Sequence, residues 1–174
     1  MSLKIYEIDE EYTKYLYTID KRVCLEHKDR QTRKFVGVVL SINNINYYAP
    51  LSSPKPKHLK MQNSQIDIIK IVNGEYGIIN LNNMIPVSNN AVTVINIDKI
   101  VDIKYANILR KQARFLNTNE EKIYKKTIKL YNMIIKKRAN KKLICRCCDF
   151  KLLEAKYKTW QHNKLHIKSH DLSR

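Results

Sequence analysis

The sequence predicts an α+β fold: a meandering antiparallel sheet over the first hundred residues, entered through one helix, and then a helical C-terminal third. Three observations predict it. Short β-branched and aromatic runs, separated by Asn and Gly turn signals, fill residues 34–97. Beyond residue 105 the apolar residues recur at helical spacing. With 174 residues, 44% of them hydrophobic and 28% charged, the chain has the size and composition of a single folded domain over 1–174.

The elements follow in order. In "DEEYTKYLYT", residues 9–18, Asp9 can cap a helix, and Glu10 and Glu11 suit its positive end. Tyr12, Leu16 and Ile19 fall on one face of it. Residues 20–33 are polar and mixed in charge, as loops are. "KFVGVVLSI" and "NYYAP" flank Asn43-Asn44, a pair that accepts the left-handed conformations of a tight hairpin. Gly37, inside the first of these strands, predicts a bulge or a close backbone approach. "IDIIKIV" reads as a strand, Asn73-Gly74 as a turn, and "YGIINL", "NMIPV" and "AVTVINI" as three further strands. Residues 105–117 predict a helix that turns Tyr105, Leu109 and Leu116 inward and gathers Arg110, Lys111 and Arg114 on another side. Thr118 and Glu121 predict a capping box opening a long helix, with Ile123, Thr127, Leu130 and Ile134 inward. "DFKLLEAKYKTW" begins a last helix capped by Asp149.

The formal charge is +17, and it is unevenly placed. Residues 1–100 carry a net +3 and residues 101–174 a net +14, with nine Lys/Arg and no acid between 122 and 142. A lysine-rich codon bias would spread the charge evenly, so the asymmetry points to a polyanionic partner, nucleic acid above all. The acidic start "MSLKIYEIDEEY" is unlike a signal peptide, and no apolar run is long enough for a membrane span. A cytoplasmic protein with no membrane contact is expected.

Several chemistries are excluded. With Gly37, Gly74 and Gly77 as its only glycines, the chain has no phosphate-cradling glycine loop and no Gly-x-Ser-x-Gly elbow. Acidic residues do not cluster as a two-metal site requires. Cys145, Cys148, His162 and His166 approach the spacing of a Cys₂His₂ finger. A finger needs a hairpin before its helix, however, and the helical pattern begins just after Cys148, so no metal or other cofactor is assigned.

What remains is "YYAPLSSPKPKHLK", residues 47–60, which has hydroxyls and cations and no acid. RNA carries its own nucleophile, the 2′-hydroxyl. Cutting it needs a group to orient that hydroxyl and a cation for the charge on phosphorus. Ser52, Ser53 and Lys55 meet that specification, and Pro54 stiffens the backbone between them. His58 is an acid–base candidate by type or an RNA contact. Lys57, Lys60, Arg33, Lys34, Arg110, Lys111 and Arg114 are further candidates for RNA binding. By composition alone, a Ser-Pro loop with lysines is more often an ordinary turn.

The run "FVGVVLSINNINYYAPLSSPKPKH" resembles the ToxN/AbiQ family, endoribonuclease toxins of type III toxin–antitoxin systems, in its Ala49-Pro50-Leu51-Ser52-Ser53-Pro54-Lys55 segment. "EYTKYL", "GIINLNNMIPV", "LRKQARFLN" and "CDFKLLEAKY" resemble further family segments in the same order. The likeness runs from about residue 5 to residue 157, leaving residues 158–174 as a basic tail beyond it. It implies a twisted antiparallel sheet flanked by helices, related to MazF- and CcdB-like toxins, and metal-independent, sequence-selective cleavage of single-stranded RNA. It implies a small repeated RNA antitoxin as partner, target mRNA as substrate, head-to-tail toxin–RNA rings, a toxin monomeric without RNA, and phage defence by abortive infection. Carried over by residue, Ser53 and Lys55 form the catalytic core, and Ser52 and Tyr12 support substrate placement or proton transfer. The family often has a further tyrosine before the first long strand, where this chain reads "CLEHKDRQTRK" with Asp29 or Arg30 near its place. Either His27 or Arg30 compensates, or that tyrosine is dispensable. The alternative from another class is a non-catalytic RNA-binding protein with a zinc-stabilised C-terminal tail.

Overall fold

The computed structural model describes residues 3–25 and 33–171, with side chains through residue 161. His27, Asp29 and Arg30 lie outside the described residues, as do the side chains of His162, His166 and His170.

The fold is α+β, as expected, but its sheet does not begin after the first helix. A strand, β1 (Lys4–Ile8), comes first. The helix α1 (Glu10–Ile19) follows, and Asp9 accepts the Tyr12 backbone N–H as its cap. β2 (Phe35–Ile42) and β3 (Ile45–Ser52) form the expected hairpin, with Asn43 and Asn44 at φ of 49° and 61°. Gly37 meets both of its expectations. The β2–β3 register shifts between Val36 and Leu40, and a Cβ on Gly37 would stand 2.1 Å from the Tyr48 ring.

The later strands are shorter than the sequence suggests: β4 (Ile68–Lys70), β5 (Ile78–Asn80), β6 (Ile85–Pro86) and β7 (Val92–Val94). "IDIIKIV" stops being a strand at Ile71, where the chain turns through Val72 and Asn73 at positive φ. The sheet runs β4-β5-β3-β2-β1-β7, all antiparallel, with β6 also on β3. It is therefore not the expected meander, because β1 is inserted between β2 and β7. β3 is the spine: β2 lies along one side of it, β6 beside Tyr47 and Tyr48, and β5 beside Leu51 and Ser52. Its residues are almost continuously buried, as in a strand covered on both faces.

Helices α3 (Ile103–Thr118), α4 (Glu120–Ile135), α5 (Lys141–Arg146) and α6 (Phe150–Asp171) make up the C-terminal part. The capping box does not form. Thr118 is the last residue of α3, its hydroxyl donating to the Arg114 carbonyl, and Asn119 takes the N-cap position of α4, so Thr118 and Glu121 are out of register for the box. Asp149 does cap α6, accepting from the Leu152 N–H at 3.0 Å. Ile123, Thr127 and Leu130 are buried as expected, with Ile134 half-buried.

A polar knot ties α6 and α4 to the sheet. Glu154 Oε1 accepts from the hydroxyls of Tyr47 (2.8 Å) and Tyr131, and Oε2 accepts from Lys151 at 2.8 Å. Burial alone would raise the Glu154 pKa, but the hydrogen bonds from Lys151, Tyr131 and Tyr47 outweigh it and hold the carboxyl below its ordinary range.

Candidate active site

Strand β3 carries Ser52 to its C-terminal end, and a short helix, α2 (Pro56–Lys60), begins four residues later. Pro56 opens α2 at the position where a missing N–H costs nothing. Lys55 precedes it in extended conformation, and its carbonyl accepts the His58 N–H at 2.9 Å. Ser53, Lys55, Lys57 and Lys60 are exposed and Ser52 is half-buried. The loop thus presents one hydroxyl and one ammonium outward within three residues.

His58 is placed differently from the expected RNA contact. It is 1% exposed, and its Nδ1 is enclosed without a hydrogen-bond partner among the described residues. Burial, and then the charges of Lys57 and Lys55, depress its pKa, so the imidazole is neutral.

The turn and strand after β4 cradle this loop. Gly77, at φ +92°, leaves room for the Ser52 carbonyl, which a Cβ would meet at 1.9 Å. Gly74, at φ +98°, lies against the His58 carbonyl, 2.8 Å from where a Cβ would stand. Lys70 Nζ donates to the carbonyls of Leu59 (2.9 Å) and Met61 (3.0 Å), closing the far end. Asn80 Nδ2 donates to the Pro50 carbonyl at 3.1 Å and to Ser52 Oγ at 2.9 Å. The buried Gln112 of α3 donates to the Tyr76 carbonyl at 2.8 Å, bracing the cradle from behind.

The other candidates divide. Leu51 N–H donates to the Lys34 carbonyl at 2.8 Å, which carries the β2–β3 pairing one step beyond Phe35–Pro50. Arg33 Nε donates to the Leu25 carbonyl at 3.2 Å. Lys34, expected to touch RNA, is instead buried and paired with Glu7. Arg110 is committed to Asp98 (2.9 Å) and Asn107 (3.2 Å), while Lys111 and Arg114 stand exposed on α3.

Tyr12 is not brought to the loop. It is 1% exposed, and its hydroxyl donates to the Pro86 carbonyl at 2.5 Å. Burial, with Tyr157 and Tyr15 nearby, pushes its pKa well up. Pro86 pairs with Tyr47, five residues short of Ser52, roughly 17 Å along the strand.

Sequence reasoning missed Asn80, Gln112, Lys70 and the cradling part of Gly77. Gly77 and Asn80 stand in "GIINLNNMIPV" and Gln112 in "LRKQARFLN", two of the segments that carry the family resemblance, and that was the signal from which no role was drawn.

Residues 4–158 match the family model described as Toxin ToxN, type III toxin–antitoxin system. The chain belongs to the ToxN toxin family. The endoribonuclease ToxN of Pectobacterium atrosepticum is 31% identical to this ToxN-family chain over 163 residues, covering 90% of it and 92% of the relative. The endoribonuclease ToxN of Bacillus thuringiensis subsp. kurstaki is 33% identical over 161 residues, covering 88% and 81%. Among solved structures, AbiQ, a lactococcal anti-phage endoribonuclease of the type III toxin–antitoxin system, matches with a TM-score of 0.82 and 25% identity over 93% of this chain and 99% of that one. A chain from work on selective toxin inhibition by a non-coding RNA pseudoknot matches with a TM-score of 0.79 and 29% identity over 92% and 99%. The ToxN-family fold therefore extends through the sheet and the C-terminal helices alike.

Proposed function

We propose that this ToxN-family chain is an endoribonuclease toxin that cleaves single-stranded RNA at residues 52–55 without a metal. The 2′-oxygen attacks the adjacent phosphorus and the bond to the 5′-oxygen breaks, leaving a 2′,3′-cyclic phosphate and a 5′-hydroxyl. The 2′-proton leaves with the attack and the 5′-oxygen takes one up. Lys55, an exposed point cation, stabilises a non-bridging oxygen as negative charge builds. Ser53, exposed two residues earlier, orients the 2′-hydroxyl or the phosphate. The observation that carries this reading is a hydroxyl–ammonium pair held outward on a loop that Gly74, Gly77, Lys70 and Asn80 all immobilise. The family and the curated relatives support it.

The partner that restrains the toxin is a small repeated RNA; work on the solved relatives concerns regulation by a processed non-coding RNA and toxin inhibition by a non-coding RNA pseudoknot, which supports an RNA inhibitor. Lys122, Lys125, Lys126 and Lys129 share one face of α4 beside Ile66, together with Glu121, which pairs with Lys125 at 2.6 Å. Burial and then Lys122 hold the Lys126 ammonium below its usual range, so a bound polyanion would relieve repulsion within that face. Head-to-tail toxin–RNA rings fit a chain with its cleavage loop and basic helix on different elements.

The test is cleavage of a mixed single-stranded RNA in excess EDTA by protein freed of RNA, with analysis of the new ends. Cyclic phosphate ends are expected from the wild type, and a loss of about 10²-fold or more in Lys55→Ala. RNA affinity should fall only by one phosphate contact. RNA binding with no wild-type cleavage would instead mark a binding protein.

A further inference from the structure

We infer that Asn80 is a positioning residue that sets the direction of the Ser52 hydroxyl, making Ser52 a hydrogen-bond donor to a non-bridging oxygen of the scissile phosphate; this rests on reading residues 52–55 as the cleavage loop. The direction follows from what each atom is able to do. The Pro50 carbonyl only accepts hydrogen bonds, so the end of the Asn80 amide facing it is the NH₂. That settles the amide orientation, which atomic positions alone leave open. The same nitrogen lies 2.9 Å from Ser52 Oγ, so its second proton goes there and Ser52 accepts. An Oγ that accepts from within the protein keeps its own proton for something else, and Ser52 has no acceptor for that proton among the described residues. Ser52 is half-buried beside the exposed Ser53 and Lys55 in the chain, and its carbonyl lies against Gly77, so the proton is left for an acceptor from outside the protein.

This separates the work of the two serines. Ser52, its lone pair engaged by Asn80, is a poor proton acceptor and a well-aimed donor. Together with the Lys55 ammonium it supplies two donors, one neutral and one charged, for the oxygens on phosphorus, as a pre-aimed anion hole does. Ser53 is left for the 2′-hydroxyl. Asn80 touches no substrate and acts only through Ser52.

The test compares full-length wild type, Asn80→Ala, Asn80→Asp, Ser52→Ala and the Asn80→Ala/Ser52→Ala pair on an RNA with one cleavable bond. Asn80→Ala and Ser52→Ala should each lower kcat about tenfold or more with KM within about twofold. The double variant should lose no more than the worse single one. Asn80→Asp, whose carboxylate accepts from Ser52 and reverses the hydroxyl, should be at least as slow as Asn80→Ala. Each protein is also given the two phosphorothioate diastereomers at the scissile position. Wild type should prefer the one whose sulfur avoids Ser52, and that preference should shrink alike in Ser52→Ala and Asn80→Ala, which a loss of mere support would not produce. Ser52→Ala carries this measurement even should Asn80→Ala fold poorly. Additive losses, or an unchanged diastereomer preference in Ser52→Ala, overturn the inference. If Lys55→Ala is inactive while Asn80→Ala and Ser52→Ala cut like wild type, this inference alone falls. If Lys55→Ala cuts like wild type, the reading of the loop falls and takes the inference with it.

Discussion

Lys55 and His58 lie three residues apart and meet opposite surroundings: one is exposed, the other enclosed with Nδ1 unpartnered among the described residues. The folded pKa of His58 is depressed below its unfolded value near 6.5. Its neutral form therefore contributes stability that is complete above that value and is lost as pH falls through the folded one. Thermal midpoints should drop between pH 7 and pH 5, before the ordinary carboxylate range. A His58→Gln variant should show a flatter curve over that interval, and an unchanged slope would refute the assignment. Ser53 and Lys55 are visible in the sequence as a hydroxyl and a cation in a loop without acids, and the family resemblance is what singles them out from an ordinary turn. Asn80 and Gln112 stay hidden, since their importance lies in which carbonyl or hydroxyl folding brings within 3 Å of them.

Among elements, the turn at 71–77 decides whether the loop has one conformation. Gly77→Ala would set a methyl 1.9 Å from the Ser52 carbonyl at a φ that L-residues avoid. It should destabilise the protein by about 2 kcal/mol in denaturant titration. Cleavage should fall further than the unfolded fraction explains, because the surviving fold carries a displaced Ser52. A loss of activity matching the unfolded fraction would show that the turn only supports the fold. Elements with strong local signals were legible: the Asp9 cap of α1, the Asn-Asn hairpin and the buried stripe of α4. β1 was not, because five residues carrying Lys4 and Glu7 make no convincing alternation. Thr118 misled because α3 runs through it and the N-cap of α4 falls one residue later, at Asn119.

For the molecule as a whole, the Glu154 knot couples the sheet to its helical cover. Its carboxyl is held low by Lys151, Tyr131 and Tyr47 against burial, so it adds stability that is present above the unfolded value near 4.5 and is lost as pH falls through the folded one. Glu154→Gln should cost about 2–3 kcal/mol at pH 7, with the gap to wild type closing in acid; a gap constant down to pH 3 would disprove it. The overall class, sheet then helices, was legible from periodicity. The insertion of β1 between β2 and β7 was not, since it rests on pairing between residues some ninety positions apart, Tyr6 with Val94 for example. The same strand order decides what the protein shows to its own copies. The two outermost strands, β4 and β7, are three residues each, so the two ends of the described sheet offer a neighbouring chain little unpaired backbone to extend. Ends that short are a poor template for fibre growth, a device that disfavours aggregation of a strongly β-branched, sheet-forming sequence through its backbone when its concentration rises.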